Sequence, residues 1–214
     1  MVRGQNSEAG AQRTEDRARN TEPRRLTTPL SEEIVRELRV GDLVLVSGRI
    51  VTGRDKVHAF LAREKPPVAD LPMDLSGGII YHCGPIIRRN DASYSMISAG
   101  PTTSMRVELY EAEVIRTYGV RGIIGKGGMG EMTLNAMKEC GCVYLHTISG
   151  AAAYLADRIK AVSGGWKIEE FGLPEAMWLL DVEEFPAIVT MDSHGKSLHR
   201  EVEESSLERL KALW

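Results

Sequence analysis

Short β-branched apolar runs, each cut off by glycine or a Gly-Pro pair, constrain this chain more than any other feature. Leu43-Val44-Leu45-Val46-Ser47-Gly48-Arg49-Ile50-Val51 is the first of them. Gly78-Ile79-Ile80-Tyr81-His82-Cys83 stops at Gly84-Pro85, and Ser95-Met96-Ile97-Ser98-Ala99 stops at Gly100-Pro101. Runs of this length and composition suit strands. Helical signals lie between them: Ser31 can cap a helix beginning at Glu32-Glu33, and residues 57–63 read as helical before Lys65-Pro66-Pro67. The second half alternates more cleanly. Val107, Tyr110, Val114 and Ile115 are spaced helically within residues 106–118. A strand at 122–124, a helix at 131–139, a strand at 143–148 and a helix over 151–162 follow. Two strands at 178–182 and 187–191, joined through Glu183-Glu184-Phe185-Pro186, and a helix at 203–213 complete the expectation. Strands followed by αβ alternation make a layered α/β domain.

Composition narrows the class. The 214 residues are 43% hydrophobic and 27% charged, with a net charge of −3, so no basic field argues for nucleic acid. No apolar run reaches the roughly 18 residues that span a bilayer, and the first residues lack a secretory signal's apolar stretch. Three cysteines form no disulfide framework, which suits a reducing cytoplasm. Residues 1–25 contain no Leu, Ile, Phe, Trp or Tyr and mix six arginines with acids. That stretch reads as a mobile polar tail, with a single domain over 26–214.

Four glycine-punctuated polar segments sit where expected strands meet loops, the usual ligand edge of an open α/β sheet. In Gly53-Arg54-Asp55-Lys56-Val57-His58, Arg54 could hold a carboxylate bidentately, or the cluster could simply cap a helix. In Tyr81-His82-Cys83-Gly84-Pro85, alternation turns the histidine away from its neighbours, so Cys83 reads as a core thiol. Gly100-Pro101-Thr102-Thr103-Ser104-Met105-Arg106 puts three hydroxyls and an arginine at a strand-to-helix junction, fit for a small dianion or for capping alone. In Gly125-Lys126-Gly127-Gly128-Met129-Gly130, Lys126 is followed by glycine where a P-loop needs Ser or Thr. The G-x-G-x-x-G spacing reads as absent too, position 130 falling one residue short, and a nucleotide loop is rejected there in favour of a turn closing on a small acid. Cys140-Gly141-Cys142 has no metal spacing, and with Cys83 the chain lacks a cluster site of its own. Trp166, Trp178 and Trp214 read as core or cover, His194 and His199 as solvated.

In this order, these segments resemble the β subunits, or C-terminal domains, of iron–sulfur hydro-lyases: class I fumarases and L-tartrate dehydratase. Val40-Gly41-Asp42, Pro174-Glu175-Ala176-Met177-Trp178 and Phe185-Pro186-Ala187-Ile188-Val189 add to the likeness, which runs from Leu26 to Ser197. The resemblance implies a three-layer β/β/α swivelling domain. It implies a site shared with an α subunit, in a hetero-oligomer such as α2β2, and a 4Fe–4S cluster ligated by that subunit, so no metal ligand here. The implied reaction is reversible hydration of fumarate to L-malate, or the equivalent on L-tartrate; a non-catalytic dicarboxylate-binding module is the further alternative. Arg54, Thr103, Arg106 and Lys126 would bind substrate, Thr102 would be the base, and Asp55 and His58 would orient Arg54. A threonine hydroxyl is a poor base near neutral pH, so Thr102 would need activation by cationic neighbours.

Overall fold

The computed structural model describes residues 22–91, 93–211 and 213. Nine strands form one sheet in the order β1-β2-β3-β6-β7-β9-β8-β5-β4. They are β1 (Arg24–Thr27), β2 (Leu43–Thr52), β3 (Ile79–Tyr81), β4 (Ile86–Asn90), β5 (Ser93–Ser98), β6 (Gly122–Gly125), β7 (Val143–His146), β8 (Ile159–Trp166) and β9 (Met177–Met191). The strands β2, β3, β6 and β7 run parallel, while β9 pairs antiparallel with β7, β8 and also β2. The extra β2–β9 ladder folds the sheet back on itself into two layers.

Period-two alternation assigns the two faces of the parallel layer. Ile79 and Tyr81, Ile124, and Val143 and Leu145 point into a core shared with Trp178, Leu180 and Phe185 of β9. The intervening Ile80, Ile123 and Tyr144 point the other way, towards helices. In chain order the helices are α1 (Glu32–Glu37), α2 (Asp55–Glu64), α3 (Glu108–Tyr118), α4 (Glu131–Cys140), α5 (Ala152–Asp157), α6 (Ile168–Phe171) and α7 (Leu198–Lys211). Of these, α2, α3 and α4 cover the parallel layer through Val57 and Leu61, Val114 and Ile115, and Leu134 and Met137. The expected three-layer β/β/α arrangement is therefore present. Ser31 caps α1, its hydroxyl accepting from the Ile34 amide at 3.3 Å. Cys83 is a buried thiol of the inter-sheet core, and Trp178 is fully buried beside it.

Several expectations need correction. Residues 1–21 and Trp214 lie outside the described residues, but Arg24 and Arg25 belong to β1, paired with Val44 and Leu45. The helix expected over 151–162 ends at Asp157, because Ile159 onward is drawn into a ladder with β9. The two strands expected at 178–182 and 187–191 are one bent strand, with Glu184 at φ 49° near the bend. The terminal helix begins earlier, at Leu198, and residues 104–107 form a 3₁₀ turn before α3. The polar strand β4, Ile-Ile-Arg-Arg-Asn, gave no periodic signal. His194 is exposed, but half-buried His199 packs edge-on against Tyr144 and bonds Thr190 Oγ1 at 3.0 Å.

Candidate functional site

The parallel register lines up the carboxyl ends of β2, β3 and β6. The Gly53 amide donates to Tyr81 O at 3.0 Å, and the His82 amide to Ile124 O at 2.8 Å. Into this edge the 102–104 segment is laced by its backbone. Thr102 N–H donates to His82 O at 2.7 Å, Ser104 N–H to Lys126 O at 3.1 Å, and Thr103 and Lys126 form an isolated bridge. Gly53, Arg54, Asp55, His82, Thr102, Thr103, Arg106 and Val107 thereby line one small, open cleft. Three sequence-distant segments thus converge here, with Lys126 joined at Thr103.

Two guanidinium groups frame the cleft around one carboxylate. Arg106 Nη2 lies 2.8 Å from Asp55 Oδ2, and Arg54 Nη2 lies 4.0 Å from the same oxygen. Arg54 is held from behind by Glu175, with Nε 3.3 Å from Oε1. It also has room only because residue 84 is glycine: a Cβ there would stand 2.8 Å from Arg54 Cδ and 3.0 Å from Pro174 O. Thr102 Oγ1 donates to His82 O at 3.1 Å. A carbonyl cannot take that proton, so no neighbouring base deprotonates Thr102 in this arrangement.

Beneath the cleft lies a group that sequence reasoning missed. Glu111, fully buried on α3, places Oε2 2.9 Å from His58 Nε2 and 3.0 Å from His82 Nε2. His58 Nδ1 donates to Arg54 O at 2.8 Å, since a carbonyl only accepts. Burial opposes charge at His58, yet the Glu111 carboxylate and the Arg54 carbonyl raise its pKa above the ordinary histidine value. Burial lowers that of His82, with the His58 charge adding to the fall. Burial would also raise the Glu111 carboxyl, but the two imidazoles hold it down at about 2. A signal was available. Glu111 shares the inward stripe of α3 with Val114, Ile115 and Tyr118, an unusual place for a glutamate without a partner.

The donor atoms of His58, His82 and Glu111 lie within 4.8 Å of one another, close enough for a metal ion. Both imidazoles bring Nε2 to one carboxylate oxygen, His82 through a hydrogen bond and His58 through an ion-pair contact. The three cysteines do not assemble. Cys83 is in the inter-sheet core, Cys142 in the helix-side core, and Cys140 at the edge of the latter. These residues do not fit an iron–sulfur cluster ligated by this chain.

The glycine loop is not a phosphate cradle. Gly125, Gly127 and Gly130 do have G-x-G-x-x-G spacing between a strand and a helix. However, the Glu108 carboxylate already occupies the start of α4, accepting from Gly130 N–H at 2.7 Å, Thr133 N–H at 3.2 Å and Thr133 Oγ1 at 2.7 Å. A phosphate would meet a negative charge where it needs donors. Gly125 instead gives room to neighbours: a Cβ there would lie 2.8 Å from the Tyr144 hydroxyl, which bonds Ser104 Oγ at 2.7 Å.

No helix among the described residues is long and apolar enough to cross a membrane. A family model described as Fumarase C-terminus matches residues 3–202. The chain is 52% identical over 186 residues to a putative class I fumarate hydratase of Geobacillus stearothermophilus, covering 86% of this chain and 35% of that protein. It thus spans about a third of that relative's length. It is 41% identical to a putative L(+)-tartrate dehydratase subunit beta of Methanocaldococcus jannaschii, covering 86% of this chain and 95% of that protein. The L(+)-tartrate dehydratase subunit beta of Escherichia coli K12 is 39% identical, with 86% and 90% covered. A family match over nearly the whole sequence, together with β subunits that align almost end to end, makes this chain a member of the fumarase C-terminal family.

Proposed function

We propose that this chain is the β component of a hydro-lyase that adds water to fumarate to give L-malate, at a site completed by an α subunit. The observation that carries the reading is the convergence of Arg54 and Arg106 on a single carboxylate at the mouth of the cleft. Such a pair suits a dicarboxylate, because a guanidinium grips a carboxylate through two parallel N–H bonds. Arg54, Arg106, Thr103 and Lys126 would take the substrate's carboxylates and hydroxyl. Asp55 would hold the two guanidiniums in place until substrate displaces it, and His58 would fix Arg54 through its main-chain oxygen. Thr102 would move the C–H proton, its hydroxyl activated by Lys126 and the arginines once substrate enters.

The cleft is open on one side, and exposed Met105 and Leu109 stand beside Arg106, which suits a second polypeptide closing over it. That polypeptide would hold the 4Fe–4S cluster, since the cysteines here do not gather. The greater identity to the fumarate hydratase than to the tartrate dehydratases favours fumarate, a tricarboxylic acid cycle substrate. A cytoplasmic setting belongs to the same reading. L-tartrate is the alternative substrate, suggested by the tartrate dehydratase β subunits, which the chain matches over 90–95% of their length.

The test is anaerobic co-purification with a cluster-bearing α partner and kcat/KM for L-malate and L-tartrate side by side. A preference for L-malate is the expected result, and a preference for L-tartrate keeps the site but changes the substrate. Inactivity with both, in a complex whose cluster is intact, leaves a binding module.

A further inference from the structure

We propose that Glu111 is the positioning residue of the cleft, one buried carboxylate that ties its Arg54 half to its Thr102 half through two imidazoles. The inference rests on reading the cleft as the dicarboxylate site. The connection can be traced atom by atom. From Glu111 Oε2, one arm runs through His58, whose ring accepts no bond from Arg54 but donates Nδ1–H to its carbonyl at 2.8 Å. Arg54 is the residue that immediately precedes α2, so this bond fixes where its side chain begins. The other arm runs through His82 at 3.0 Å. The His82 carbonyl takes both the amide and the hydroxyl of Thr102, at 2.7 and 3.1 Å. Both arginine and threonine are therefore anchored to histidines that share one oxygen.

The protons in this network follow from its geometry. His58 Nδ1–H is committed to the Arg54 carbonyl, and Nε2 lies 2.9 Å from the Glu111 carboxylate as an ion-pair contact outside hydrogen-bond geometry, an arrangement that favours the imidazolium. His82 faces the same carboxylate with Nε2, while its buried Nδ1 has no hydrogen-bond partner, so it is the neutral Nε2–H tautomer. One negative and one positive charge balance in a dry site, the condition for keeping ions there. The raised pKa of His58 and the lowered pKa of His82 agree in direction. The other ionisable groups around the pair are Asp55 and Arg54 from the cleft side, and Cys142 and Tyr144 from β7 and its approach. Among these, Glu111 alone touches both rings.

Glu111→Gln keeps the shape and removes the charge, and Glu111→Asp keeps the charge at a shorter reach. In the full-length wild-type chain, imidazole 15N spectra should show one imidazolium and one neutral Nε2–H ring for His58 and His82 at pH 7. In Glu111→Gln the imidazolium should disappear, and the amide resonances of Arg54 and Thr102 should move while those of β8 stay. In the reconstituted complex kcat/KM should fall on the order of 100-fold, as misplaced reacting groups do. Its alkaline limb should shift to lower pH, and Glu111→Asp should restore the limb in part. Two neutral rings in the wild type, or stoichiometric zinc bound to them, would overturn the proposal even if no variant folds. So would a folded Glu111→Gln with unmoved Arg54 and Thr102 amides and an unchanged pH profile. An inactive wild-type complex that shows the expected rings and amide shifts would reject the hydro-lyase reading and keep the network.

Discussion

Gly84→Ala tests the claim that Arg54 is placed by the space made for it. A Cβ at residue 84 would lie 2.8 Å from Arg54 Cδ and 3.0 Å from Pro174 O, both inside ordinary contact. Pro174 O is backbone and yields little, so the arginine must move. Residue 84 needs no left-handed backbone, so the strain comes from the collision alone. Once displaced, Arg54 loses its 3.3 Å pairing with Glu175, whose members are 20% and 17% exposed. Such a pair and the residual crowding together cost about 1–2 kcal/mol. For a chain of this size that corresponds to a fall in Tm of about 2–8 °C. The effect on turnover is larger. Losing one charge-assisted contact to a substrate carboxylate removes about 1.5–3 kcal/mol, or roughly 10- to 150-fold in kcat/KM. Gly164→Ala is the control, because a Cβ there meets nothing within 4 Å. The assay is kcat/KM of the reconstituted complex, with Gly84→Ala, Arg54→Ala and the double variant compared. If the methyl acts only through Arg54, the double variant equals Arg54→Ala alone. Additive losses, or wild-type kcat/KM in Gly84→Ala, would refute the reasoning.

Other outcomes follow from single contacts. Arg106→Ala should lower kcat/KM by roughly 10- to 150-fold, while Tm moves little, because its exposed pairing with Asp55 is worth at most about 1 kcal/mol; a wild-type kcat/KM would remove Arg106 from the site. Burial pushes the Cys83 thiol up to about 12 and also raises that of Cys142 well above the ordinary value, so a thiol reagent at neutral pH should reach Cys140 at most until the chain unfolds. Rapid labelling of Cys83 in the native state would contradict its place between the sheets. Glu111, held at about 2 when folded, stabilises the native state above its ordinary value and loses that contribution as pH falls towards 2. His58, raised when folded, contributes below its ordinary value and loses the contribution as pH rises through the raised one. Urea midpoints across pH should therefore decline on both sides, and Glu111→Gln should flatten both declines.

The legible parts were those where local pattern and tertiary role agree. Strand ends marked by glycine and followed by Arg54, His82, Thr102 or Lys126 could be read because a parallel layer presents its carboxyl ends on one edge. Cys83 could be placed in the core because it shares a face with Tyr81 while His82 turns away. Residues 151–162 misled because Ala151-Ala152-Ala153 favours a helix, and only the β9 ladder decides that Ile159 onward is a strand. The strand β9 was divided in the reading because Pro186 and the acids before it look like a turn. In the fold, β9 passes from β8 to β7 without leaving β2, and Pro186 is accommodated opposite Leu45.

The missed Glu111 shows why the site's support was harder to see than its surface. Arg54 and Thr102 lie outside helices and strands and Arg106 in the 3₁₀ turn before α3, where polar residues are free of core packing. Glu111 lies in a helix that is read from Val107, Tyr110, Val114 and Ile115 alone, which leaves the carboxylate on the same face unconsidered. Placing a carboxylate there without partners would cost several kcal/mol, so its presence demanded cations nearby. The partners are 53 and 29 residues away in sequence, on α2 and just past β3, and only the parallel register brings them together. That placement also explains why three segments rather than one must build the cleft. A single loop could offer guanidiniums and hydroxyls, but holding them at fixed separation takes a rigid group beneath, and the helix packed against the strand ends is the nearest element able to supply it.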